Sequence, residues 1–197
     1  MPLTLLPLPH ADVLLDPQFL PPQAAAVFLA ELTTTIPWQQ QPIKLFGKEV
    51  MQPRLTAWHG DPAARYAYSG LTLEPQPWTP ALRQLRQQVE VATNAHFNSV
   101  LLNLYRTGQD SMGWHADNEP ELGPEPVIAS VSLGAIRRFR LRPRDSRHTP
   151  HEPVSLDLLP GSLLLMRGLT QRHWVHAVPK TARPAAPRLN LTFRLIN

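Results

Sequence analysis

Apolar and polar positions along the chain follow two different periods. In the first half they recur with helical spacing. Ala24, Val27, Phe28 and Leu32 share one side of a helix predicted over 21–35, and Leu82, Leu85, Val89 and Ala92 form the stripe of a second. Thr79 offers the second helix an N-cap hydroxyl, and Pro80 occupies its first turn, where a missing N–H costs nothing. From Ser99 onward the period falls to two. Strands are predicted over 99–105, 127–133, 136–142, 153–159, 162–167, 173–178 and 188–196, divided by turns rich in Gly, Pro and Asp. Residues 1–20 are proline-rich and read as irregular.

Helices followed by a run of short strands imply an α+β chain whose body is a β-sandwich or double-stranded barrel. The faces of two strands carry further information. In the last strand Arg188, Asn190, Thr192 and Arg194 alternate with Leu189, Leu191 and Phe193, and in the first Asn103 and Tyr105 alternate with Leu102 and Leu104. Such a polar face either meets water, as in most antiparallel sheets, or lines a cavity in which two arginines clamp a small dianion.

The 197 residues suffice for one domain with a sizeable core. The absence of cysteine excludes disulfides and thiolate metal sites, so any metal must rest on histidine and carboxylate. No apolar run is long enough to span a bilayer, and the N-terminus has prolines at 2, 7 and 9 and no basic segment, unlike a secretory leader. The expectation is a soluble monomer without membrane contact, in a bacterial cytoplasm or, from a eukaryotic source, in the nucleus. Sixteen of the 19 basic residues are arginine, and residues 126–197 hold twelve basic side chains against three acids. This composition suits either a solvated basic face or phosphate contact.

His115-Ala-Asp117 places two potential ligands at i and i+2 near a strand end, on one side of the chain. A third ligand from a distant strand would complete a two-His, one-carboxylate facial set with three open positions. His173 and His176 compete for that role; His176, ahead of Ala177-Val178-Pro179 and twelve residues before Arg188, is the better placed. The remaining histidines (10, 59, 96, 148 and 151) read as structural or solvated.

Four segments together resemble a known family: Asn103-Leu-Tyr105, Gly113-Trp-His115-Ala-Asp117-Asn-Glu119, Trp174-Val-His176-Ala-Val-Pro179 and Pro187-Arg188-Leu-Asn-Leu-Thr-Phe-Arg194. Over residues 36–196 the chain resembles the AlkB family of iron(II)/2-oxoglutarate-dependent nucleic-acid dealkylases. The resemblance implies a double-stranded β-helix (jelly-roll) core over 99–197, preceded by an N-terminal extension over 1–98 with helices and a nucleotide-recognition lid, all one domain. It implies iron(II) on His115, Asp117 and His176, with dioxygen as second co-substrate. It places 2-oxoglutarate against Asn103, Tyr105, Arg188, Thr192 and Arg194, with Asn190 close by. Arg188 and Tyr105 would take the distal carboxylate and Arg194 the keto-acid end.

The resemblance extends to the substrate side. Leu45-Phe46-Gly47-Lys48 with Pro53-Arg54 resembles a hairpin that approaches the duplex, with Phe46 as a wedge into the base stack. Tyr66-Ala-Tyr68-Ser-Gly70 resembles the segment covering a flipped base, Tyr68 stacking opposite His115, with Asn118 or Glu119 at its polar edge. Relatives often carry Asp where Asn118 stands; Glu119 is the acid nearest to replace it. The implied activity is oxidative demethylation of bases such as 1-methyladenine and 3-methylcytosine in DNA or RNA, with release of formaldehyde. Two other readings are a 2-oxoglutarate-dependent hydroxylase of a protein or small molecule, and a non-catalytic nucleic-acid-binding jelly roll. Arg138, Arg140 and Arg142 form an alternating row which, with Arg144 and Arg147, is a candidate phosphate track or a charge-protected edge strand.

Overall fold

The computed structural model describes residues 2–45, 48–64, 66–68, 71–183 and 185–197, with side chains at 43–48, 66–68 and 71–73 outside the description. Along the chain run β1 (Thr4–Leu5), β2 (Asp12–Asp16), α1 (Pro22–Thr35), β3 (Pro42–Leu45), β4 (Lys48–Met51), β5 (Leu55–Gly60), β6 (Tyr66–Tyr68) and β7 (Leu71–Leu73). There follow α2 (Pro80–Thr93), β8 (Ser99–Tyr105), β9 (Met112–His115), β10 (Ile128–Gly134), β11 (Arg137–Pro143), β12 (Val154–Leu158), β13 (Ser162–Arg167), α3 (Thr170–His173), β14 (Trp174–Val178) and β15 (Arg188–Arg194).

A seven-stranded sheet in the order β1-β2-β13-β10-β15-β8-β5 lies against a four-stranded sheet in the order β12-β11-β14-β9. The pairings within both are antiparallel. These two layers are the jelly-roll core expected of an α+β chain. The first half of the sequence contributes more to them than its pattern suggests. Residues 1–20, read as irregular, hold β1 and β2, and β2 pairs with β13 from Leu163↔Asp16 to Arg167↔Asp12. β5 pairs with β8 along its whole length. Sheet strands therefore precede residue 99, where the sequence pattern places the start of the core.

Alternation sorts the apolar residues of the large sheet between two clusters. Val100, Leu102, Leu104, Leu189, Leu191 and Phe193 pack on the helix side with Phe28, Leu32, Leu82, Leu85 and Val89. Ile128, Leu164, Met166, Phe139, Leu141 and Trp174 fill the space between the sheets. α2 begins as predicted, the Leu82 N–H donating to Thr79 Oγ1 at 3.3 Å, and ends at Asn94 in the left-handed region (φ 51°). Its buried stripe ends on Thr93, with Ala92 exposed. On α1 the buried face is Ala25, Phe28 and Leu32, while Val27 stays 59% exposed. Phe28 and Leu32 fix that face, and Ala25, not Val27, lies in line with them at i−3 and i−7. Gly134 ends β10 at φ +80°, where an added Cβ would stand 2.4 Å from the Pro187 carbonyl. Its bare backbone lets the β10–β15 ladder run on to Arg188.

Candidate active site and metal centre

The cavity between the sheets collects the polar face of the strands. It is lined by Asn103 and Tyr105 from β8, Ser130 from β10, and Arg188, Asn190, Thr192 and Arg194 from β15, facing His115, Asp117, Phe139 and His176. The alternation of β15 therefore serves a cavity, not water.

His115 ends β9 directly opposite His176 on β14, and the register slips by one residue between that pair and Met112↔Val178. The bulge turns the end of β9 so that Asp117, just beyond it, also points inward. One nitrogen or oxygen of each residue lies within 4.8 Å of those of the other two. The two imidazole rings meet edge-on at 4.2 Å, and His176 Nε2 is 3.6 Å from Asp117 Oδ2. His115 Nδ1 is 2.9 Å from the Gly113 carbonyl, which fits an Nδ1–H donor and leaves Nε2 free as a ligand. Phe139 stacks on the His176 ring at 5.2 Å and fixes its plane. His173, the rival, stacks instead on His10 at 5.1 Å beside Thr149.

Electrostatics hold this group ready for a cation. Burial, reinforced by His115, pushes His176 down to about 3 against the pull of Asp117, so its imidazole is neutral with a lone pair to give. Burial would raise Asp117, but the field of Arg194 and a hydrogen bond from its Nη2 outweigh it and keep the carboxylate ionised. Two histidine nitrogens and one carboxylate on one side of an open space suit a divalent first-row ion such as iron(II).

The arginines test whether an anion belongs beside it. Arg188 is 1% exposed and lies over the Tyr105 ring at 5.3 Å. Its Nη2 donates to Ser132 Oγ at 2.9 Å, but Nε and Nη1 have no partner among the described residues, nor has Arg194 Nε. Burying a guanidinium with idle donors is costly unless a ligand takes them. A dicarboxylate fits that demand. Asn190 differs: its Nδ2 donates to Ser130 Oγ (2.7 Å) and the Val131 carbonyl (3.2 Å), and its Oδ1 accepts from Thr192 Oγ1 (3.2 Å). Both ends of that amide are engaged within the protein.

The substrate-side candidates fall in three groups. Phe46 and Gly47 lie outside the described residues; Lys48 opens β4, and Tyr66 and Tyr68 bound β6, their side chains outside the description. Asn118 is exposed, and Glu119 is half-buried with an Oε2 that is enclosed and unpartnered among the described residues. Arg54 is 9% exposed, with its Nε donating to Asn103 Oδ1 at 2.7 Å, so it sits beneath the cavity and not on an exposed hairpin. Three further residues belong to the site without standing out in the sequence pattern. Ser130 and Ser132 alternate in Ile128-Ala-Ser-Val-Ser-Leu133, a visible signal once β10 is paired with β15. Gln171, 2% exposed, accepts the Asp117 main-chain N–H at 3.0 Å, and nothing in the sequence marks it.

A jelly roll with this cluster and this clamp defines an iron- and 2-oxoglutarate-dependent oxygenase. Residues 12–194 match the family described as the 2OG-Fe(II) oxygenase superfamily. The chain is 42% identical over 200 residues to the human alpha-ketoglutarate-dependent dioxygenase alkB homolog 3, covering 98% of this chain and 69% of that one. It is 46% identical over 158 residues to the human DNA oxidative demethylase ALKBH2, covering 78% and 60%. A solved structure titled "The structure of OsALKBH1" superposes with a TM-score of 0.65 over 98% of this chain and 100% of that one, at 16% identity, which speaks for the fold alone. The chain belongs to the AlkB family of 2OG-Fe(II) oxygenases, enzymes that use iron(II), 2-oxoglutarate and dioxygen. No described helix is long and apolar enough to cross a membrane.

Proposed function

We propose that the protein removes N-alkyl groups oxidatively from nucleic-acid bases, with 1-methyladenine and 3-methylcytosine in DNA as leading substrates and RNA as a further one. The observation that carries this reading is the pair of idle Arg188 donors in the same cavity as the His115, Asp117 and His176 cluster. The base specificity rests on similarity to a DNA oxidative demethylase.

In this reading His115, Asp117 and His176 hold iron(II), and Arg188, Tyr105, Asn103, Thr192 and Arg194 hold 2-oxoglutarate. With these bound, dioxygen converts the N-methyl group to hydroxymethyl, which leaves as formaldehyde, while 2-oxoglutarate is oxidised to succinate and carbon dioxide. The chain's own part is placement. Arg194 bridges Asp117 and the clamp, so that ligand and co-substrate share one reference point. Phe139 and Met166 line the cavity and keep water from it. By sequence likeness alone, Asn118 or Glu119 meets the polar edge of the base. By the same likeness alone, Tyr66 and Tyr68 stack on the extruded base, and Phe46, with Gly47 and Lys48, enters the duplex. Purified protein should release formaldehyde from methylated oligonucleotides only with iron(II) and 2-oxoglutarate. Neither formaldehyde nor succinate from anaerobically reconstituted protein exposed to oxygen would rule the activity out.

The arginine row suits the phosphates of that substrate. Arg138, Arg140 and Arg142 point outward from β11, whereas Arg137 turns inward and donates to the carbonyls of Thr107, Asp110 and Pro179 at 3.0, 2.9 and 2.7 Å. Arg140 and Arg142 lie over the exposed Trp114 ring at 5.6 and 4.5 Å, which steadies both guanidinium planes and leaves their edges free. Changing both to Gln should weaken oligonucleotide binding and reduce the log–log salt slope by about 0.7 to 0.9 for each phosphate that is no longer neutralised. A slope equal to that of the wild type would assign the row to solvent.

A further inference from the structure

Arg54 leaves the backbone just before β5, a position where arginine normally reaches water, yet it is 9% exposed. Its Nε donates to Asn103 Oδ1 at 2.7 Å and its Nη1 to the Ser111 carbonyl at 3.4 Å, and no carboxylate pairs with it among the described residues. Burial lowers its affinity for its own proton, and the weaker opposing pull of Tyr105 and Asp110 does not restore it, so the structure holds this cation at a cost.

The consequence falls on Asn103. An asparagine amide can present either its carbonyl or its amino end to a given side, because the two are nearly the same shape. A guanidinium can only donate. Arg54 therefore fixes Oδ1 on its own side and turns Nδ2 away from itself. Asn103 lines the cavity, and its Nδ2 makes no hydrogen bond to a described residue. Asn190, its partner across the β8–β15 ladder, shows the opposite economy, with both amide ends bound within the protein.

We propose that Arg54 is a positioning residue for the anionic co-substrate, locking the Asn103 amide so that its NH2 end, not its carbonyl, faces the cavity. The inference rests on the reading of that cavity as the 2-oxoglutarate site. It gives Arg54 a part in co-substrate selection in place of contact with the duplex. A flipped Asn103 would set a carbonyl lone pair against a carboxylate; the locked one adds a donor to those of Arg188 and Arg194, and the buried charge of Arg54 acts in the same direction.

The test uses the full chain loaded with manganese(II), which permits binding without turnover, and titrates 2-oxoglutarate by calorimetry. Arg54→Met should weaken 2-oxoglutarate about tenfold or more, the scale of a lost hydrogen bond to a charged group, and Arg54→Lys should recover part of the loss. In an Asn103→Ala background Arg54→Met should add little, since the two act as one unit. In turnover the loss should appear in KM for 2-oxoglutarate and not in KM for the oligonucleotide. Asn103→Asp gives an independent check should Arg54→Met fail to fold. It keeps the acceptor for Arg54 but shows the cavity an oxygen, and it should lose at least as much affinity as Arg54→Met. Unchanged 2-oxoglutarate affinity in Arg54→Met or Asn103→Asp, or additive effects in the double variant, would overturn the inference. If the wild type itself bound no 2-oxoglutarate, the reading of the cavity would fail first.

Discussion

His176→Ala should abolish formaldehyde release, by about a thousandfold or more, while binding of a methylated oligonucleotide stays within about twofold of the wild type. The imidazole provides one of three ligand atoms grouped within 4.8 Å, and it is neutral because burial holds it down to about 3. Its removal leaves two ligands, too few to retain a first-row ion at micromolar concentration. The outward arginines sit on the opposite face of their strand from Phe139, the residue that stacks on the lost ring, so the nucleic-acid surface keeps its charges. Asp117 stays paired with Arg194, which limits the damage to the fold. His173→Ala is the control. That ring stacks on His10 and does not join the cluster, so turnover should be unaffected. Turnover retained in His176→Ala but lost in His173→Ala would exchange the two assignments, and manganese(II) titration of both variants reports the ligand set without any catalysis.

The parts of this site that were legible in the sequence are those in which one chemistry alternates with another. β15 shows Arg188, Asn190, Thr192 and Arg194 on one face because the other face, Leu189, Leu191 and Phe193, meets the helices. α2 announced itself by Thr79 and Pro80 because a capped helix start is a local matter. Three features were hidden, each for a physical reason. β5 is largely buried on both faces, so Leu55-Thr-Ala-Trp-His-Gly60 carries no polar–apolar alternation to read. β2 lies among prolines and acids, and only its pairing with β13 makes Asp12-Val-Leu-Leu-Asp16 a strand. Gln171 is a polar residue buried by tertiary contact that aligns Asp117, and no spacing rule marks a residue that works through another; Arg54 was marked by the resemblance, but its burial against Asn103 was not. The choice between a cavity and water for the polar face of β15 had the same character, since it depends on the facing sheet and not on the strand.

Arg188→Met carries the second large effect, and its sign differs between binding and stability. With two buried guanidinium nitrogens unpartnered among the described residues and a charge disfavoured by burial, Arg188 is a liability to the protein without co-substrate. Methionine fills a similar volume next to the Tyr105 ring without needing a partner, so unfolding of the co-substrate-free protein should occur at an equal or higher temperature. 2-Oxoglutarate reverses the balance. Leaving its carboxylate buried without a partner costs about 3 to 5 kcal/mol, so affinity should fall by at least about a hundredfold. The thermal stabilisation that 2-oxoglutarate confers on the manganese-loaded wild type should disappear at concentrations that saturate it. Arg188→Lys should not rescue fully, because a single ammonium cannot satisfy Ser132 Oγ and a forked carboxylate contact together. The pairing of a more stable free protein with an abolished ligand response is the signature of a residue kept for binding. If Arg188→Met instead destabilised the free protein by several kcal/mol, Arg188 would be part of the frame that joins β15 to β10, and the anion would have to be held elsewhere in the cavity.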